Sequence, residues 1–143
     1  MILGIGSDIV KISRIESLYS GYGANFVDKI LSKEEIKLLQ QKSSDKLKVN
    51  YLAKRFAAKE ALVKALGIGF RDALTLNKIT VKNNDLGKPE IFLADEALSY
   101  IERELAIINA KEIKFHLSLS DDGDYALAFM VAEKGLEPPT HGL

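Results

Sequence analysis

The sequence contains no cysteine, which rules out a disulfide framework, a thiolate metal site and a thiol nucleophile. No apolar run is long enough to cross a bilayer. The opening stretch MILGIGSDIV is short, carries Asp8 and has no basic residue ahead of it. Neither a signal peptide nor a membrane anchor is predicted, and a cytoplasmic location is expected. Glycine-rich nucleotide motifs are missing as well. Gly4-Ile5-Gly6 lacks a third glycine and Gly67-Ile68-Gly69 follows a helical stretch instead of opening one, so neither a dinucleotide fingerprint nor a Walker A loop is present. There is no G-x-S-x-G elbow, and the second histidine, His141, lies in the tail, which argues against serine hydrolase chemistry. Net charge is absent too, with Lys+Arg and Asp+Glu at 20 each.

What is present suits one packed domain. The chain has 143 residues, 47% hydrophobic and 28% charged, enough to bury a core and too few for two ordinary domains. Residues 2–10 form an apolar, β-branched run that predicts a strand. Ser13 with Glu16, and Ser32 with Glu35, each have the spacing of a capping box and predict two helix starts. Residues 51–66 are rich in Ala, Leu, Lys and Glu with no internal Gly or Pro, predicting a long helix that Gly67 stops. Further strands are expected over residues 76–81, 90–93, 113–119 and 125–132, with a helix over 95–108. A hairpin is expected at Ser120-Asp121-Asp122-Gly123-Asp124. The fold class is α+β: a single compact domain over residues 1–134, with a mostly antiparallel sheet and a long central helix. The tail, 135–143, with its adjacent prolines, is expected to be poorly ordered.

Charge is unevenly spread. Residues 29–64 hold ten basic and four acidic side chains, whereas residues 83–143 hold twelve acidic and five basic. The first segment suits an anionic ligand or partner. Three clusters stand out within this pattern. Asp8 interrupts an apolar strand, where a buried carboxylate needs a cation, donors or water. On the long helix Phe56, Glu60 and Lys64 share one stripe and Arg55 and Lys59 an adjoining one. That arrangement is either ordinary i,i+4 pairing of Glu60 with Lys64 or a site where a carboxylate holds a hard cation beside phosphate-binding cations. Finally, His116, Ser118 and Ser120 share one face of an alternating strand, a polar face that is either solvent or site.

Taken together, four blocks of sequence resemble the holo-acyl-carrier-protein synthase family of 4′-phosphopantetheinyl transferases. They are Gly4-Ile5-Gly6-Ser7-Asp8-Ile9-Val10 with Arg14-Ile15, then Phe56-Ala57-Ala58-Lys59-Glu60-Ala61 with Lys64-Ala65-Leu66-Gly67, then Gly87-Lys88-Pro89, and His116-Leu117-Ser118-Leu119-Ser120-Asp121. Lys11 stands where relatives often carry an acidic residue, and Asp121 where many carry His. The resemblance implies an enzyme of fatty acid biosynthesis that moves 4′-phosphopantetheine from coenzyme A to a serine of apo acyl carrier protein, releasing adenosine 3′,5′-bisphosphate. It implies Asp8, Glu60 and Lys64 as catalytic residues. Of these, Asp8 and Glu60 are magnesium ligands whose octahedron waters and the pyrophosphate complete. It implies Arg55, Lys59, Gly87, Pro89, His116 and Ser118 as lining of the coenzyme A site, Arg14 as a contact to an acidic carrier protein, and a homotrimer with active sites between subunits. The general base is either Glu60 or a metal-bound water. The competing reading is a noncatalytic module whose basic helix grips an acidic protein or nucleic acid, with Asp8 merely structural.

Overall fold

The computed structural model describes residues 1–71 and 73–135. The tail expectation falls, from residue 136 on, outside the described residues. In chain order the elements are β1 (Ile2–Lys11), α1 (Ile12–Tyr22), α2 (Ala24–Ile30), α3 (Lys33–Gln40), α4 (Asp45–Leu66), β2 (Ile79–Asn83), β3 (Pro89–Leu93), α5 (Asp95–Leu105), β4 (Ile113–Asp122) and β5 (Tyr125–Lys134). All strand ladders are antiparallel. One sheet has the order β1-β5-β4 and the other is the β2–β3 hairpin.

The long helix α4 is the centre of the fold. Leu52, Ala53, Ala57, Ala58, Ala61 and Leu62 are wholly buried and Val49, Val63, Ala65 and Leu66 nearly so, so it is covered on several sides and not along a single stripe. Each large aliphatic side chain buried this way contributes roughly 1.5–3 kcal/mol of transfer free energy. The inner face of the sheet, with Ala126, Ala128, Met130 and Ala132 of β5, packs on this helix. Small residues on both sides let the backbones approach closely.

Several boundaries differ from expectation. Ser13 does not cap its helix, because α1 starts one residue earlier. The orphan N–H groups there are met from a distance: Asp124 at the β4–β5 turn accepts from Ile12 N through its carbonyl at 2.7 Å and from Ser13 N through Oδ1 at 3.0 Å. The hairpin thus caps α1. The second box is present as predicted, with Ser32 N donating to Glu35 Oε1 at 2.9 Å. The helix expected from residue 51 begins at Asp45, capped by the Ser44 side chain. Helix α2 is unforeseen, a short segment held by tertiary burial of Val27 and Ile30. The strand expected from residue 76 opens as a 3-10 turn, Leu76–Lys78, before β2. Helix α5 stops at Leu105, where Ala106 turns left-handed with φ 53°. β1 is an edge strand.

Candidate active site

Two elements present the central side chains. Along β1, Gly4, Gly6, Asp8 and Val10 face α4, while Ile5, Ser7, Ile9 and Lys11 point outward. The glycines are there for close approach. A Cβ on Gly4 would sit 1.8 Å from the Ala65 carbonyl oxygen and one on Gly6 2.0 Å from that of Ala61, contacts only a missing side chain permits. Two residues further on, where the strand clears the helix, Asp8 enters the gap with 16% of its side chain exposed. From α4, Lys64 reaches across, its Nζ 3.2 Å from Asp8 Oδ1 and 3.0 Å from the Ser7 carbonyl oxygen.

Glu60 lies beside them, half-buried. Its proton affinity is raised, first by burial, which disfavours the carboxylate, and then by the negative charge of Asp8; Lys64 and Arg14 oppose this. These mutual influences put Asp8, Glu60, Lys64 and Arg14 in one electrostatic neighbourhood. Two carboxylates that repel one another across a gap, with an all-oxygen donor set, fit a hard divalent cation. Among the described residues no cluster of three or more metal-ligating side chains occurs. A cation here would therefore draw its remaining ligands from water and a bound anion.

Other expected site residues separate into three groups. Lys59 does not line this gap. It is fully buried, with Nζ donating to Glu35 Oε1 at 2.5 Å and to the Ile30 carbonyl at 2.6 Å, so its expected place in the coenzyme A lining is corrected. The i,i+4 pairing of Glu60 with Lys64 is likewise replaced by the Lys64–Asp8 bridge. Arg55 is also a core residue, 6% exposed, with its guanidinium stacked 4.6 Å from the Tyr51 ring centroid. Gly87 lies in the β2–β3 turn and Pro89 opens β3. Gly87 takes φ 85°, and Asn84 Oδ1 organises the loop by accepting from Leu86 N and Lys88 N, each at 2.9 Å. His116 and Ser118 lie on the outer face of the sheet, opposite the face that carries Asp8. His116 Nε2 is 3.4 Å from Glu133 Oε1 there. A single chain thus unites Asp8, Glu60, Lys64 and Arg14 but not the strand pair.

Elsewhere, a cavity of about 1060 Å³ opens between α1, α2, α3, the start of α4 and the β4–β5 turn, floored by Val27, Ile36, Leu39 and Val49; neither Asp8 nor Glu60 borders it. Among the described residues no helix is long and apolar enough to cross a membrane. Sequence reading missed Glu35 and Asp124 as tertiary anchors. Only the capping-box spacing of Glu35 hinted at a role.

Comparison with known proteins shows the family and the fold. The profile of the 4′-phosphopantetheinyl transferase superfamily matches residues 4–130. A holo-[acyl-carrier-protein] synthase of Wolbachia pipientis is 44% identical over 131 residues, covering 92% of this chain and 97% of that protein. The crystal structure of the holo-[acyl-carrier-protein] synthase from Neisseria meningitidis superposes with a TM-score of 0.80 at 46% identity, covering 94% of this chain and all of that one. The Bacillus anthracis synthase, solved in complex with coenzyme A (3′,5′-ADP), has a TM-score of 0.75 at 31% identity, covering 94% and 99%.

Proposed function

Because the chain belongs to the 4′-phosphopantetheinyl transferase superfamily, we propose that it transfers 4′-phosphopantetheine from coenzyme A to a serine of apo acyl carrier protein, as part of fatty acid biosynthesis. The observation that carries this reading is the convergence of Asp8, Glu60 and Lys64 across the β1–α4 gap. The serine hydroxyl gives its proton to a base, Glu60 or a water, and its oxygen forms a bond to the β-phosphorus; the bond from that phosphorus to the bridging oxygen breaks, and adenosine 3′,5′-bisphosphate departs. Lys64, 54% exposed at its side chain, is placed to meet the phosphates as a point charge. Asp8 and Glu60 would hold magnesium, which when bound supplies charge neutralisation at the pyrophosphate.

The carrier protein is expected to be acidic. Arg14 is exposed on α1, and Lys29, Lys33, Lys37, Lys42 and Lys46 are exposed on the elements that follow, which supports an electrostatic docking surface. The outer face of the larger sheet supports assembly of a homotrimer. Ile5, Ile9, Tyr125, Leu127 and Phe129 stand there 43–64% exposed, a contiguous apolar surface of the kind that packs against another copy. His116 and Ser118 share that face, so assembly through it would bring them against another subunit. The cytoplasm is the proposed compartment, where coenzyme A and newly made carrier protein meet.

The test is intact-mass spectrometry of apo acyl carrier protein incubated with this protein, coenzyme A and magnesium. A phosphopantetheine-sized gain that disappears with chelator and in Asp8→Ala/Glu60→Ala is the expected result. No gain across several carrier proteins would sink the reading.

A further inference from the structure

One cluster of charge lies inside the core, and the proposed reaction does not use it. The Glu35 and Lys59 side chains are both 0% exposed. Lys59 Nζ donates to Glu35 Oε1 and to the Ile30 carbonyl at the end of α2. Glu35 Oε1 also accepts from Ser32 N at 2.9 Å, and Oε2 accepts from Val81 N of β2 at 2.9 Å. One carboxylate therefore ties α3, α4 and β2 together. Among the described residues strand β2 has only β3 as a ladder partner, so Glu35 takes the place of a neighbouring strand on its other edge.

A buried ion pair is a poor source of net stability, since apolar side chains of similar volume often serve as well or better. What it supplies is a single geometry, because hydrogen bonds to fixed partners resist rotation that apolar contacts tolerate. Glu60 follows Lys59 directly on α4, and successive residues on a helix project about 100° apart. The rotation that aims Lys59 at Glu35 and Ile30 therefore also sets the direction in which Glu60 leaves the helix. At the ~6 Å radius of a side-chain tip, a rotation of about 10° displaces that tip by about 1 Å. A displacement of about 1 Å in a catalytic geometry is enough to lower rates ~100-fold.

We infer that Glu35 and Lys59 are positioning residues: their pair sets the rotation of α4 that brings Glu60 and Lys64 onto Asp8, and through Val81 it holds the β2–β3 hairpin, with Gly87 and Pro89, to the same reference. The inference rests on the transferase reading of the Asp8–Glu60 gap. Lys59 and Glu35 touch neither substrate nor cation; they act through Glu60 and the hairpin.

The experiment compares the full-length parent with Glu35→Gln/Lys59→Met, which removes both charges of the pair together. Three properties are measured: the unfolding midpoint, the affinity for Mn²⁺ in the presence of coenzyme A by electron paramagnetic resonance, and steady-state kinetics. The expected result is a midpoint within about 5 °C of the parent, Mn²⁺ binding weakened at least about fivefold and kcat lowered at least about tenfold. KM for the carrier protein stays within about twofold, because docking uses a different surface. Glu35→Asp, which keeps the charge but draws the carboxylate back by one methylene, shows the same losses in smaller degree and serves if the double variant does not fold. Parental Mn²⁺ affinity and kcat in a folded variant of either kind overturn the inference. A parent that neither binds Mn²⁺ with coenzyme A nor transfers phosphopantetheine sinks the inference together with the reading beneath it.

Discussion

Lys64 bridges from α4 to Asp8 on β1 at 3.2 Å, instead of folding back along its own helix toward Glu60. The pairing joins strand to helix beside Glu60, and among the described residues no ion pair to Glu60 itself is formed. An exposed bridge of this kind adds little stability, about 0–1 kcal/mol. On the proposed reading its value lies in presenting a cation to an incoming anion.

Replacing Lys64 with Met is accordingly expected to leave the unfolding midpoint within a few degrees of the parent while lowering kcat/KM for coenzyme A by roughly 10–100-fold, the equivalent of one charge-assisted hydrogen bond of about 1.5–3 kcal/mol. Initial rates at varied coenzyme A concentration check this. Unchanged kcat/KM would remove Lys64 from the site.

On the proposed reading, Glu60 is expected to set the acid limb of the pH profile. Burial and the Asp8 charge raise its proton affinity, so its carboxylate protonates at a higher pH than the ordinary value near ~4.3. The protonated form cannot hold a divalent cation, so activity falls as pH drops through the raised value. A cation and a proton compete for the same oxygens, and raising magnesium is expected to move the limb to lower pH. The sign for stability is opposite to that of an ion-paired carboxylate. The folded state binds this proton more tightly than the unfolded chain does, so without metal the Glu60 contribution to stability declines as pH rises through the window between its ordinary and raised values. Glu60→Gln is thus expected to abolish transfer and, in metal-free buffer near neutral pH, to raise the unfolding midpoint. Rates at two magnesium concentrations and thermal melts with chelator supply the check; a limb that ignores magnesium contradicts the ligand role.

Gly6→Ala tests the close approach of β1 to α4. A Cβ there meets the Ala61 carbonyl oxygen at 2.0 Å and Ala65 N at 2.6 Å, both backbone atoms that cannot swing aside. Forcing the strand away costs about 1–3 kcal/mol or more and carries Asp8 with it. Denaturant unfolding should show a lowered midpoint, and the residual folded protein should transfer at least ~10-fold more slowly. A variant as stable and active as the parent would show that the contact is not needed.

Phe129→Glu places a charge in the apolar face built from Ile5, Ile9, Tyr125, Leu127 and Phe129. Light scattering on the size-exclusion peak is expected to show a shift from trimer to monomer with circular dichroism unchanged, because Phe129 points away from the core. Activity should fall with the trimer, since His116 and Ser118 would no longer reach a neighbour. A monomeric parent would refute the assembly outright.

Much of this was legible in the sequence because it depends on near neighbours along the chain. An apolar, β-branched run located β1, the two runs flanking the 120–124 hairpin signal located β4 and β5, helix propensity located α4, and the Ser32–Glu35 spacing located the start of α3. Gly67 marked the end of α4 because it alone adopts the left-handed turn there, at φ 72°. The blocks around Asp8, Glu60 and His116 pointed to the family before any geometry was known. What the sequence could not decide was which charges are spent on the core and which face the gap. Lys59 and Lys64 are both lysines on one helix, yet one is sealed against Glu35 and the other stands at Asp8. Their difference comes from the rotation of α4 relative to elements distant in sequence: α3, β1 and β2. In the same way Ser13 has the spacing of a capping box, but Asp124, 111 positions away along the chain, supplies the cap. Local pattern determined the elements and the family of chemistry. Long-range packing decided the partners, because burial rewards a charge only where another part of the chain has already placed its counterpart.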